Sequence, residues 1–363
     1  MPDVVIPPPD PAGLPAPAWL LQILLVFTFI LHVLAMNLLV GGTVIMAVSL
    51  WRGKNSPFCA ELANRLSKAL PVTMSLTITL GVAPLLFVQV LYGQAFYTAS
   101  VLMAWPWLSV VALVLLAYYG LYLVQFRPDW LGKWVTPIAW VSAVFILLVG
   151  LLFTHNATLN LAPAKWAQMY AQSASGLHLN WSEPTLIPRY LHFMVAAFAV
   201  AGLGIMLLAS LYRKADPTWA EEAVKYGARW FVIATILQFA VGLWFLFSLP
   251  QKVMMSFLGG NALDTILLWA GVALAVVALL LVQRSALLAT GAVTLTIALM
   301  AIVRHRIRQM YLGEHLNVNT LPVNPQWGMF VIFAVLLVIG LGVVGWMVWK
   351  FARAGSPQQT PAG

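Results

Sequence analysis

Between Ala18 and Trp51 the chain carries 34 residues without a charged side chain. At about 1.5 Å per residue, a helix of that length crosses a hydrocarbon core with some tilt. His32 lies near its middle. An unsatisfied polar group in lipid costs several kcal/mol, so this imidazole needs a partner. An ionisable residue inside a membrane helix marks a functional site by default.

The rest of the chain has the same character. Of its 363 residues 62% are hydrophobic and only 8% charged, which no single soluble domain of this size shows. The net charge of +9, from 19 Lys and Arg against 10 Asp and Glu, is expected to flank membrane helices and not to bind nucleic acid. Cys59 is the one cysteine and falls in a polar stretch that reads as a loop, which excludes disulfides and cysteine-built zinc or iron–sulfur sites within the chain. Met1 to Pro17 is rich in proline and lacks the basic start and small-residue cleavage site of a signal peptide. It reads as an arm leading into a retained helix.

Apolar runs bounded by charge, Pro and Gly predict an all-α integral membrane protein of about nine spans. They cover about 18–51, 67–92, 102–126, 132–156, 187–213, 222–250, 262–283, 286–312 and 326–352. Placing the N-terminus outside puts 13 Lys and Arg on the inner side and 6 on the outer. The positive-inside rule thus predicts an external (periplasmic) N-terminus and a cytoplasmic C-terminus, in a multi-pass protein of a bacterial inner membrane. The expected organisation is the arm 1–17, one helical domain over 18–353 and a flexible tail 354–363, with the outer loop 157–186 as a possible cap.

This topology sorts the histidines. His155, His192 and His305 fall at the outer ends of helices, His178 and His315 in outer loops, and His32 alone lies deeper. Arg189 precedes His192 by three residues, about one helical turn, while Arg304, Arg306 and Arg308 interleave with His305. These arginines run against the positive-inside trend, so something must compensate them. Guanidinium groups bind anionic oxygens in bidentate fashion, and haem propionates are one such partner; lipid headgroups or water at a helix end are the other.

All ten carboxylates are expected in loops or at helix ends, without the acidic relay at depth that proton-coupled transport or self-contained oxygen reduction usually needs. With no cysteine pair and no carboxylate expected in the core, His and Met remain as metal ligands. His32 and Met36, four residues apart, share a helix face ahead of Gly41 and Gly42, and small residues likewise follow His192. Either site leaves room for a flat cofactor. For His32 and His192 a structural role, hydrogen-bonded to a neighbouring Ser, Asn or carbonyl, stands as the alternative.

In these features the chain resembles subunit I of the cytochrome bd quinol oxidases, as a divergent member. That family also has nine helices, an outside N-terminus and a cytoplasmic C-terminus. His32 resembles its helix-1 ligand to the high-spin haem. Arg189-Tyr-Leu-His192 is similar to its Lys-Phe-Val-His, whose histidine ligates the low-spin haem b. Leu80 to Gly93 resembles its second helix and Lys350-Phe-Ala-Arg353 its C-terminal end. The departures concern chemistry. Gln89 stands where the family has a haem-associated Glu, Ala117-Tyr-Tyr-Gly120 lacks its acidic residue, helix 7 lacks its axial Met, and His305 falls near a family Glu. The long quinol loop shrinks to about 251–261.

The resemblance implies a haem b subunit, with one to three haems; its departures and the outer placement of the histidines turn the expectation toward electron transfer between the quinol pool and a periplasmic c-type cytochrome or other redox subunit. The expected iron ligands are His192 and His32, with His305, His155 or Met36 as further axial candidates, and Arg189, Arg304 and Arg308 as propionate partners. A bd-like terminal oxidase subunit or its non-catalytic heterodimer half is the alternative within the family. A haem-free permease or scaffold is the alternative outside it.

Overall fold

A computed structural model describes residues 6–354. It is helical throughout, and among the described residues nine helices are long and apolar enough to cross a membrane. In chain order the helices are α1 (Ala18–Arg52), α2 (Pro57–Leu102), α3 (Ala104–Phe126), the short α4 (Pro128–Leu131), α5 (Val135–Asn160), α6 (Pro163–Gln172), α7 (Leu186–Tyr212), α8 (Pro217–Ser248), the short α9 (Gln251–Met255), α10 (Ala262–Leu281), α11 (Ala286–Leu312) and α12 (Trp327–Ala354). The tail expected over 354–363 lies outside the described residues, apart from Ala354.

The largest departure from the predicted spans is α2, with 46 residues where 26 were expected. At about 1.5 Å per residue it is roughly twice as long as a bilayer core is thick. Its first turns carry Glu61 and Arg65, which the hydropathy pattern assigns to a loop, yet Ser56 caps the start by accepting from the Cys59 N–H. Cys59 is therefore buried in a helix, not placed in a loop. Near the other end Tyr92 breaks the helix (φ −127°, ψ 32°).

Sequence-adjacent helices pair as α1 with α2, α7 with α8 and α10 with α11, while α3 packs on α5. The seam between α1 and α7 is tight: a Cβ on Gly41 would collide with the Ala197 carbonyl and lie 2.6 Å from the Ala201 Cβ. Small residues admit such backbone approach in membranes, where dispersion replaces the hydrophobic drive between helices. Gly41→Ala is expected to lower stability by about 1–3 kcal/mol through overpacking, read as thermal unfolding in detergent. An unchanged midpoint would show that the seam gives way at no cost.

One end of the bundle is tied by Arg65, whose side chain is 10% exposed. It bonds Glu61 at 2.6 Å and Asp216 at 2.9 Å and lies 3.6 Å over the Trp219 ring. At the other end the arm packs against the segment before α12. The Leu14 N–H donates to the Pro322 carbonyl at 2.7 Å and the Asn324 N–H to the Leu14 carbonyl at 2.8 Å. This approach needs Gly13, at φ +71°, because a Cβ there would sit 2.7 Å from the Pro322 oxygen. Trp166 of α6 is buried beside Leu14 and Leu312, with its indole N–H donating to the Leu159 carbonyl at 2.8 Å.

Candidate functional site

A cavity of about 460 Å³ opens between α1, α7, α8, α10 and α11. Its walls are almost wholly apolar and aromatic, and the exceptions are informative. Arg189 and His192 enter from α7, Arg304 and Thr296 from α11, Gln238 and Thr235 from α8 and Asn37 from α1, with the thioether of Met300 also on α11. The His192 ring lies beside Gly242, where a Cβ would stand 3.4 Å from its Cε1. The Gln238 side-chain amide donates to the His192 carbonyl at 3.0 Å. The Nδ1 of His192 is buried without a partner.

Among the described residues no carboxylate forms an ion pair with Arg189 or Arg304. Arg189 is 5% exposed, and its Nε and one Nη are buried without a hydrogen bond. Its guanidinium rests 4.9 Å from the Phe245 ring centre, as that of Arg304 rests 4.4 Å from Phe29. One turn beyond, Arg308 lies 5.1 Å over the Tyr92 ring. Arg304 also feels the like charges of Arg308 and Arg189. The carboxylate whose field reaches Arg189, Glu183, is engaged by Lys165 at 3.2 Å and by the Thr185 hydroxyl. Cation–π contacts contribute about 0.5–2 kcal/mol each, whereas desolvating an ion costs several. The buried, unbonded nitrogens of Arg189 have the chemistry to bind an anionic oxygen.

Arg306 differs from its neighbours. It donates to Asp264 at 2.7 Å, and Ser256 adds a hydrogen bond to the same carboxylate, also at 2.7 Å. Asp264 sits in the first turn of α10, a helix end as expected, yet it is completely buried. The expectation of a core free of carboxylates is corrected here, because the partner lies 42 residues away and no local pattern signals it. Arg306→Ala leaves that carboxylate without its cation and is expected to cost about 3 kcal/mol, measured as unfolding in detergent. A loss below about 1 kcal/mol would mean that Asp264 stays solvated or takes up a proton.

The remaining histidines are sorted by their hydrogen bonds. The Nδ1 of His32 is 3.1 Å from the Thr77 carbonyl, against Gly81 of α2. An N–H donated there leaves Nε2 with its lone pair, the tautomer that metal-bound histidines usually adopt. His32 does not line the His192 cavity. Met36 packs at the edge of the largest core cluster. His155 is fully buried beneath Trp181, and its Nδ1 accepts from the Asn180 backbone N–H at 3.0 Å. The proton of that neutral ring is then on Nε2, which offers no lone pair to a metal. His305 is bonded through Nε2 to Gln22 of α1 at 3.0 Å, and Gln309 donates to the same oxygen at 2.8 Å. Of the residues singled out by sequence, Arg189, His192 and Arg304 thus meet in one cavity, with Arg308 just beyond it. His32, Met36, His155 and His305 stand elsewhere. Met300 was missed, because nothing in its own stretch of α11 distinguishes it.

A helical membrane bundle of this topology defines a fold class shared with the bd oxidases. The bd oxidase structure from Geobacillus thermodenitrificans superposes with a TM-score of 0.71 at 14% identity, covering 94% of this chain and 99% of that one. The two chains are therefore close in length, and the shared fold runs through nearly all of each. No family model and no curated protein matches the sequence.

Proposed function

We propose that the protein is a haem b-containing electron-transfer subunit of a respiratory membrane complex. The observation that carries this reading is the cavity: apolar walls, one imidazole, and two guanidinium groups without a carboxylate. A haem has the complementary parts, an apolar macrocycle, an iron and two propionates. The orphaned nitrogens of Arg189 fit a carboxylate, and the size falls within the range of about 300–1,000 Å³ usual for cofactor sites.

His192 is assigned to the iron, and Arg189 and Arg304 to the propionates, with Arg308 adding positive field. When bound, the haem supplies reversible one-electron chemistry. The chain sets its potential through ligand choice, burial and the arginine charge. His32, whose Nε2 lone pair is free for a metal, is assigned to a second haem outside this cavity.

The exchange proposed is between the quinol pool and a periplasmic c-type cytochrome or redox subunit. The N-terminus is assigned to the periplasm on the positive-inside distribution. A pocket of about 370 Å³ beside the 251–261 connection, lined by Lys252, Asn261, Arg306 and Glu314 among others, is assigned to the quinol. An oxygen-reducing bd-like subunit, or the non-catalytic half of such a heterodimer, is the second reading, favoured by the fold likeness alone. Against oxygen reduction stands the engagement of Asp264, the one fully buried carboxylate among the described residues, by Arg306 and Ser256.

Carbon monoxide added to the dithionite-reduced, purified protein separates the two readings. The low-spin signal assigned to the His192 cavity is expected to be unchanged by carbon monoxide. A full-stoichiometry carbon monoxide complex would favour the oxidase.

A further inference from the structure

We propose that the thioether sulfur of Met300 closes the second axial position of the group whose first ligand is His192, an inference that rests on the haem reading above. His192 and Met300 are the two side chains lining the cavity that carry an atom suited to an iron.

Their placement is matched in depth. On α7, Arg189 and His192 are three residues apart, and on α11, Met300 and Arg304 are four apart, so each helix sets a guanidinium and a ligand atom on one face about one turn from each other. The helix α7 is the fifth of the nine long apolar helices and α11 the eighth, so successive crossings run them antiparallel. The order therefore reverses, with arginine before histidine on α7 and methionine before arginine on α11. Arg189 and Arg304 thus line the same end of the cavity, and the two ligand-bearing side chains come one turn deeper along their helices. A ring with its charged edge toward the arginines would have His192 and Met300 near its centre.

The walls agree with this. Gly242 of α8 backs the His192 ring, and Gly271 of α10 backs the Met300 methyl, where a Cβ would collide with it. Met300 is half-buried, neither sealed in the core nor turned to lipid. Methionine opposite histidine raises the potential of a haem relative to two histidines. The site is then closed on both faces and suited to electron transfer.

Met300→Leu and Met300→His in the full chain, purified in detergent, test the assignment by spectrum, haem content and redox titration. Met300→Leu is expected to retain haem on His192 but to become high-spin and bind carbon monoxide. Met300→His is expected to stay low-spin with its equilibrium shifted toward the oxidised form by about tenfold or more, which is about 59 mV for one electron. If the leucine variant does not fold, the histidine variant decides alone. A leucine variant as low-spin and as inert to carbon monoxide as the parent, or a histidine variant with the parent's potential, overturns the assignment. A parent protein already open to carbon monoxide at this haem overturns Met300 and leaves the haem reading standing. A parent protein without haem overturns the haem reading itself.

Discussion

His192→Ala is expected to abolish the low-spin haem proposed for the cavity. The substitution removes the proposed iron ligand and leaves the rest of the cavity wall in place, because the ring lies against Gly242 and its Nδ1 has no hydrogen-bond partner. Loss of haem is therefore expected without loss of fold, and helix content and elution volume serve as controls. If His32 holds a second haem, haem per protein falls by the share belonging to the His192 cavity and the remaining spectrum is that of the other site. Unchanged haem content would return His192 to a structural role, with Gln238 merely fixing its backbone. The converse variant, His32→Ala, is expected to leave the low-spin signal intact, since His32 faces Thr77 and Gly81 away from this cavity.

The second large effect is on potential. Arg304→Gln keeps much of the shape of the side chain and removes its charge. A unit charge at about 10 Å in an effective dielectric of about 20 is worth about 1.7 kcal/mol, on the order of 70 mV for one electron. The sign follows from the chemistry: positive charge favours the reduced centre, so its removal moves the midpoint downward. Arg189→Gln is expected to act in the same direction. Arg306→Gln is expected to move the potential less, because Asp264 already balances that cation. Redox titration of the three variants measures this ranking. Equal shifts in all three, or none, would show that the cluster faces lipid headgroups and not a propionate.

The fold was largely legible because a bilayer demands long apolar runs, and eight of the nine spans lie within a few residues of the predicted bounds. The exception, α2, shows the limit of that signal. Hydropathy locates the part of a helix that meets lipid, and the Glu61–Arg65 turns and the stretch beyond Tyr92 continue the helix outside that part. The spacing of Arg189 and His192 was legible because one helical turn joins them. Asp264 and Met300 were not, for a common physical reason. Asp264 is paired with Arg306 on another helix, and the role proposed for Met300 depends on the facing pair on α7; such pairings leave no periodicity within a single segment. The histidines likewise could not be ranked by position, because what separates them is which nitrogen is already engaged: Nδ1 of His155 accepts a backbone N–H, whereas Nδ1 of His32 faces a carbonyl.

The account stands on a haem in the cavity between α7 and α11, and pigment extraction from the purified full-length protein tests it most directly. The expected result is non-covalent haem b, at least one per chain, with a low-spin reduced spectrum that disappears in His192→Ala. A well-folded protein with no Soret absorption, purified from cells supplied with haem precursor, would contradict it and leave the arginines of the cavity to some other anion.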